Sequence, residues 1–467
     1  MNSYKKLLNN VIIFSLGNLG SKIITFMLVP LYTYYLSQSE YGTVDLVTVT
    51  VSMLVPIVSL SMHEAVLRFV MKKNKEDFHV LFNALFISIL GYLLLMFLSP
   101  LFIIFGFSKS YILYLDIILL FQILNQVLSQ YARGIGKVRV FAFNGMLTTF
   151  LTGIFNILFL VKFNWGVFGY FFALILSYLI SNIYLLFFIK PEKSKYPLKF
   201  DKALIKEMLA YSIPLIPNSL MWWVVSSSSR VFISIFIGTA ANGLFAVSSK
   251  IPFIINLVSQ VFGQGWQLSA FENYEEDGNK NFYTDIFNYY SEILFIVTSG
   301  TILILKPLFQ ILFSEEYFNS WTPVPFLLLG STFSALSGFI GVSYSTTQNT
   351  KGVFTTSLLG GVTSIITNFI LIPTLGIIGS GISSMLSFFV MFYARYKGTR
   401  KLITINIRWT RFILTIILIL AQTGVLFINV NVKIQFQINV VIFLGILILN
   451  HSFILFIVNL VKNRKNK

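Results

Sequence analysis

YSIPLIPNSLMWWVVSSSSRVFISIFIGTAANGLFAVSSKIP, residues 211–252, decides the reading of this chain. Two apolar segments meet at a short turn between Gly238 and Gly243, and each carries one cation, Arg230 and Lys250. A charged side chain at membrane depth is costly. It normally faces the interior of a helix bundle or a watery cavity and has a role there. The rest of the chain shows whether a membrane is the right setting.

Of the 467 residues, 56% are hydrophobic and 11% charged, and the mean hydropathy is +0.80. A soluble domain would not carry so little polar surface. Apolar runs of about 20 residues, long enough to span a bilayer, recur along the whole sequence. The fold class is therefore an all-α integral membrane protein. The basic start MNSYKKLLNN resembles a signal peptide, but the following run continues past Pro30 to Leu36 with no small-residue cleavage site. It is expected to be a retained first span. The net charge of +17 invites a nucleic-acid reading, and its distribution argues against one. Basic residues cluster in every second loop, the positive-inside pattern of a membrane protein. Cysteine is absent, which excludes disulfide and thiolate chemistry.

Outward from the opening stretch, the apolar runs give about 14 transmembrane helices with both termini cytoplasmic. The first covers about residues 10–36. The turn SQSEYG follows, and the second span runs to Val70 before the basic MKKNKED. The sixth ends at Ile189, before KPEKSKYPLKFDKALIKE, whose six lysines mark the natural break between halves. The last part of that stretch can form an amphipathic helix on the membrane surface. The twelfth span ends at Ala394, before RYKGTRKLITINIRWTR. The expected domains are 1–207, 208–401 and, for two additional helices, 402–467.

The halves echo one another. Tyr131, Val140–Phe141, Asn156, Gly166 and Gly169 recur as Tyr344, Val353–Phe354, Asn368, Gly376 and Gly379, at offsets of 210–213 residues. Tyr41–Gly42 is matched more weakly by Asn242–Gly243. Halves with an even number of spans share orientation. They are expected to form pseudo-symmetric lobes, as parallel repeats around a central cavity.

The candidate binding residues are the cations Lys22, Arg230, Lys250 and Arg133. Lys22 lies about 18 Å along the first span, near the midplane, if that span is helical from Asn10. The alternative for Lys22, Arg230 and Lys250 is that a long side chain snorkels to the interface. Arg133 opens a basic loop or faces the cytoplasmic mouth. Lys306 and Arg68 read as interfacial anchors. Asp45, Glu64, Asp116 and Glu292 are acids at depth. Glu64 and Arg68 have the spacing of an i,i+4 ion pair. Asp45 is a partner for Lys22 or a ligand for a coupling cation. Pro30, Pro214, Pro217 and Pro252, with Pro56, interrupt apolar helices and are expected to kink them. The SSSS strip at 226–229 faces another helix or the cavity. His63, His79 and His451 do not combine with carboxylates at metal spacing, so no metal site is expected. No nucleotide motif or Ser-His-Asp arrangement stands out, so no cofactor is expected.

Cations of this kind suit an anionic, lipid-linked passenger. Arg grips phosphate with a bidentate fork and Lys as a point charge. A cationic-drug exporter would favour an acidic lining.

LVPLYTYYLSQSEYGTVDL at 28–46, YARGIGKVRVF at 131–141, YSIPLIPNSLMWW at 211–223 and NGLFAVSSKIP at 242–252 resemble the bacterial polysaccharide (O-antigen) flippases of the Wzx type. Those flippases belong to a larger group with multidrug-and-toxin extruders and lipid II flippases. The resemblance covers essentially the whole chain. It implies a transporter, not an enzyme, in the bacterial cytoplasmic (inner) membrane. Its cargo would be undecaprenyl-pyrophosphate-linked oligosaccharide for O-antigen, lipopolysaccharide or capsular polysaccharide. It would move that cargo outward by alternating access between two six-helix lobes carrying two extra spans. The implied partners are that glycan, membrane lipid, polysaccharide polymerase and chain-length proteins, and no nucleic acid. Coupling would be to protons, sodium ions or the membrane potential. Where such flippases often carry an Asp-Arg pair at the end of span seven, this chain has Ser229–Arg230. The alternatives are an exporter of another lipid-linked polymer (teichoic-type or lipid II-like), a multidrug extruder, a polysaccharide polymerase and a non-transporting scaffold. A polymerase usually needs a large external loop, and the external loops here are short.

Overall fold

In a computed structural model, residues 20–72, 77–103, 108–189, 200–275, 280–346, 350–400 and 404–452 are described. They are almost entirely helical. A first helix, α1, covers residues 20–35. There follow α2 (Gln38–Val58), α3 (Met62–Met71), α4 (Asp77–Leu98), α5 (Lys109–Gly134), α6 (Val138–Asn156), α7 (Gly166–Ile189), α8 (Lys202–Ser212) and α9 (Ile216–Phe236). Then come α10 (Thr239–Ser248), α11 (Phe253–Glu275), α12 (Lys280–Leu303), α13 (Leu305–Leu312), α14 (Val324–Thr346), α15 (Thr350–Leu375), α16 (Ile377–Thr399), α17 (Trp409–Phe427) and α18 (Val432–Leu449).

Among the described residues, 12 helices are long and apolar enough to cross a membrane. The pair α10 and α11, bent by 46°, makes a thirteenth if it is one span. The chain is a multi-pass membrane protein. The start of the first expected span lies outside the described residues. Large apolar side chains such as Phe97 (82% exposed) and Ile311 (76%) line the outsides of the helices, where lipid tails are as apolar as the side chains themselves. Hydrophobic exclusion from water therefore does not hold one helix to the next. Close packing and buried hydrogen bonds do.

The chain divides into two compact units. Unit 1 comprises Met1–Trp223 with Thr239–Gly243, and unit 2 comprises Val224–Gly238 with Leu244–Lys467. Among its described residues, unit 1 has two buried clusters. One joins Val44, Val47 and Val51 of α2 to Leu115, Ile118 and Leu119 of α5 and Phe171 of α7. The other joins Val66 and Phe69 of α3 to Val80 and Ala84 of α4, Val127 and Leu128 of α5, and Leu204 and Met208 of α8. The amphipathic part of the lysine-rich stretch is α8, and its apolar edge belongs to that second core.

Local sequence explains the boundaries. The expected turn SQSEYG is mostly helix, because Ser37 and Glu40 form a capping box that starts α2 at Gln38. The expected second span is broken. Pro56 has no N–H to donate, and Leu60 and Ser61 take left-handed φ values of 48° and 51°, so the chain restarts as α3. Pro214 lies in the 3-10 turn Ile213–Leu215 between α8 and α9, and Pro217 sits in the first turn of α9. Pro252 sits in the break between α10 and α11. Pro30 lies within α1.

The repeated residues do equivalent work in both halves. Gly166 begins α7 and Gly376 precedes α16, at φ 54° and 62°, where a side chain would be strained. One turn later, a Cβ on Gly169 would sit 3.0 Å from the Phe159 Cβ, and one on Gly379 would sit 2.1 Å from the Leu371 carbonyl oxygen. Asn156 donates to the Tyr32 hydroxyl in unit 1 (3.3 Å), and Asn368 accepts from Ser229 in unit 2 (3.0 Å). Gly42 and Gly243, also paired in the sequence, touch: a Cβ on either would meet backbone of the other's helix within 2.0 Å. Asn242 donates to the Gly42 carbonyl across this crossing (2.8 Å).

In unit 2, the last two helices are fastened along one face of α12. Asn288 donates to the Asn406 carbonyl at 3.3 Å. Glu292 lies 4.0 Å from Arg411 of α17. Ser299 donates to Gln422 at 2.7 Å. Beyond the end of α12, Lys306 donates to the Leu426 carbonyl (2.8 Å) and to Gln435 of α18 (3.2 Å), and its ammonium lies over Trp321. Lys306 is thus more than an interfacial anchor.

Candidate functional site

The opening stretch builds a site in unit 2. Arg230, in the second half of α9, is only 8% exposed. Its guanidinium donates to the Ser249 hydroxyl at 2.8 Å and to the Ser226 carbonyl at 3.3 Å, and lies 5.5 Å from the Phe245 ring centroid. Ser249 and Phe245 flank the end of α10, so the cation of one apolar segment rests on the break in the next. Lys250 follows Ser249 directly and is half-buried in that break.

The break has a backbone cause. Pro252 cannot donate, and the neighbouring amides bond three residues back instead of four: Lys250 to Val247 (3.0 Å), Ile251 to Ser248 (3.3 Å) and Phe253 to Lys250 (3.2 Å). The tightened winding ends α10, and α11 restarts at Phe253 at 46° to it. An N-terminal helix end carries partial positive charge. The end of α10 in the same break carries the opposite partial charge, so positive charge at this discontinuous helix comes from Arg230 and Lys250 themselves. Each is a cation on a largely apolar segment, and positive charge in such surroundings favours an incoming anion.

Ser228 and Ser229, on the same α9 strip, are buried against α15 and bond to Asn368 and Ser364. That half of the serine strip faces another helix, while Ser226 is exposed. Ser229 stands in place of the expected Asp, and its hydroxyl donates to the Asn368 side-chain oxygen at 3.0 Å.

The other expected site residues lie in unit 1. Lys22 is half-buried on α1. Arg133 is exposed at the end of α5, with its guanidinium 5.7 Å from the Phe141 ring centroid. Asp45 is buried on α2. Asp116 is buried on α5 and accepts from Ser99 at 2.9 Å, while its Oδ1 has no partner. The expected Glu64–Arg68 ion pair is not formed. Glu64 lies 3.7 Å from the His63 ring, and the Arg68 guanidinium sits 4.1 Å from the Tyr211 ring centroid of α8. An aromatic face beside Arg68 competes with an exposed helix pair worth only a few tenths of a kcal/mol. Among the described residues, no three His, Cys, Asp or Glu groups are placed to hold a metal.

One buried cation escapes the sequence reading. Arg395, placed there just past the end of the twelfth span, is 3% exposed inside α16. It donates to the Thr356 and Ser357 hydroxyls (3.2 Å each) and to the Ser337 carbonyl (3.0 Å), tying α14, α15 and α16 together. The signal was present in the periodicity: Met391, Phe392, Arg395, Tyr396 and Thr399 fall on one buried helix face.

A family model described as polysaccharide biosynthesis protein matches residues 7–266. No curated protein sequence matches. Among solved structures, the lipid II flippase MurJ in an inward closed conformation is similar at a TM-score of 0.68 and 17% identity, over 96% of this chain and 100% of that one. An inward-facing multidrug resistance MATE family transporter of the MOP superfamily is similar at 0.63 and 15%, over 83% and 95%. A point mutant of the Vibrio cholerae MATE transporter VcmN is similar at 0.54 and 13%, over 86% and 99%. At these identities the likeness is one of fold.

Proposed function

Because the chain belongs to the polysaccharide biosynthesis protein family, we propose that it is a flippase for polyprenyl-pyrophosphate-linked oligosaccharide in the bacterial inner membrane. The cargo is the undecaprenyl-pyrophosphate-linked repeat unit of O-antigen or a capsular polysaccharide. It is turned from the cytoplasmic to the outer leaflet by alternating access, with both protein termini cytoplasmic. The chemical problem is charge. A pyrophosphate stripped of water in hydrocarbon costs tens of kcal/mol in the ideal limit, so it must cross in the company of fixed cations. Arg230 and Lys250 supply two, and Lys22 and Arg133 of unit 1 supply two more. Asp45 and Asp116 are the carboxylates through which protons or sodium ions would couple to the movement.

The observation that carries this reading is the broken helix at Ser249–Pro252, with Arg230 and Lys250 gathered on it. Discontinuous helices are a common place for transporters to hold ionic substrates at membrane depth. The test is genetic and biochemical. In cells lacking the native gene, Lys22→Ala or Arg230→Ala should abolish surface glycan while the protein still reaches the membrane. Full surface glycan in both variants would overturn the proposal.

A further inference from the structure

A cleft of about 320 Å³ lies within unit 2, between α11 and α14 and closed at the back by Tyr290 of α12. Each long wall is one helix face at i, i+3, i+4, i+7 spacing. Ser259, Phe262, Gly263 and Trp266 form one, and Ala335, Gly338, Phe339 and Val342 form the other. The walls are held rigid by stacking. Trp266 lies on Phe339 at 4.1 Å and Phe262 on Tyr290 at 4.0 Å, both nearly parallel. Trp266 is further fixed by its indole N–H, which donates to the Phe339 carbonyl.

Two glycines make the cleft informative. Gly263 and Gly338 sit inside regular helices, where glycine is unfavourable relative to alanine. Neither has a positive φ. Glycines between membrane helices usually let two backbones approach, yet a Cβ on either would meet nothing within 4 Å. Both open onto the same cleft. Neither backbone conformation nor helix contact requires them, and what they leave is space.

We propose that this cleft is a subsite for a neutral sugar ring of the lipid-linked cargo, an inference that rests on the flippase reading. The lining chooses the ligand class. An alkyl or prenyl chain would be met by leucine and isoleucine, abundant elsewhere in this chain, but neither is among the described residues lining the cleft. Phosphate would require a cation, and none of those residues is charged. Aromatic rings with the uncharged Ser259 and Gln260 are what a pyranose needs. Its C–H face packs on a ring such as the half-buried Phe262, and its hydroxyls exchange hydrogen bonds with an amide.

The experiment measures binding to the purified full-length chain by native mass spectrometry. The probes are lipid-linked oligosaccharide extracted from the producing cells and bare polyprenyl pyrophosphate. Wild type should favour the glycosylated lipid by about tenfold or more, the size of one or two well-placed hydrogen bonds. Gly338→Leu fills the cleft, and Gln260→Leu removes the amide at similar size. Both should bring the two affinities within about twofold while leaving bare-lipid binding unchanged. A wild-type preference that persists in both variants overturns the subsite, as does a wild type without preference. If wild type binds neither lipid, the flippase reading itself fails.

Discussion

Replacing Arg395 by methionine separates structural cations from functional ones. Methionine fills most of the volume and makes none of the three hydrogen bonds from the guanidinium to Thr356, Ser357 and Ser337. Hydrogen bonds from a charged donor contribute about 1.5–3 kcal/mol each, so the gross loss is roughly 4.5–9 kcal/mol. Removing the charge also removes its desolvation penalty, several kcal/mol for an ion this buried. The net cost is therefore about 2–4 kcal/mol, in the upper range for single substitutions. In a unit of this size, that lowers the melting temperature by roughly 4–16 °C. The assay is thermal melting of the purified protein followed by intrinsic fluorescence. Arg395→Lys, which keeps the charge but not the planar fork, should fall between the two. Melting of Arg395→Met within about 1 °C of wild type would refute the reasoning: the hydrogen bonds linking α14, α15 and α16 would then be no net source of stability.

Arg230 should behave in the opposite way, with Arg230→Lys exporting some glycan and Arg230→Glu none, measured as surface polysaccharide. Equal export by the two would show that the sign of the charge there is irrelevant. Gly376→Ala should cost about 1–3 kcal/mol, because φ 62° with ψ −143° is a backbone region essentially open only to glycine. Gly379→Ala should melt lower still, since its Cβ would meet the Leu371 carbonyl oxygen at 2.1 Å. The reverse order would contradict the close approach. The Ser39 and Thr239 hydroxyls are 2.8 Å apart, and the chain has no cysteine of its own. Ser39→Cys with Thr239→Cys should therefore cross-link on mild oxidation in native membranes, while either single substitution should not. No cross-link would mean that the starts of α2 and α10 do not pack.

Residues 211–252 carried most of what the sequence could say. Membrane setting, helical class and the two cations of α9 and its successor follow from apolar run length and from the cost of charge in hydrocarbon. The repeated glycines were visible because left-handed backbone and close helix contact each leave a residue with no substitute. Three features were hidden. The capping box at Ser37–Glu40 looked like a polar turn, because serine and glutamate are also ordinary loop residues. Arg395 fell just past its span because run-counting stops at the first charge, whereas a helix continues wherever that charge finds hydrogen bonds. Arg68 was matched to Glu64 by spacing, and only the fold brings Tyr211 of α8 beside it. Arg230 and Lys250 are 20 positions apart, and nothing in their spacing shows that they share one break. That depends on where Pro252 turns the backbone.

The most direct measurement of the central claim is lipid translocation in vesicles containing only this protein. A fluorescent polyprenyl-pyrophosphate-linked sugar, placed in both leaflets, would be read by an impermeant quencher. Wild type should make the whole pool accessible within the assay, and Arg230→Glu should leave the inner leaflet protected at the level of empty vesicles. Equal accessibility with Arg230→Glu, or no translocation by wild type under any proton, sodium or voltage gradient, would contradict the account.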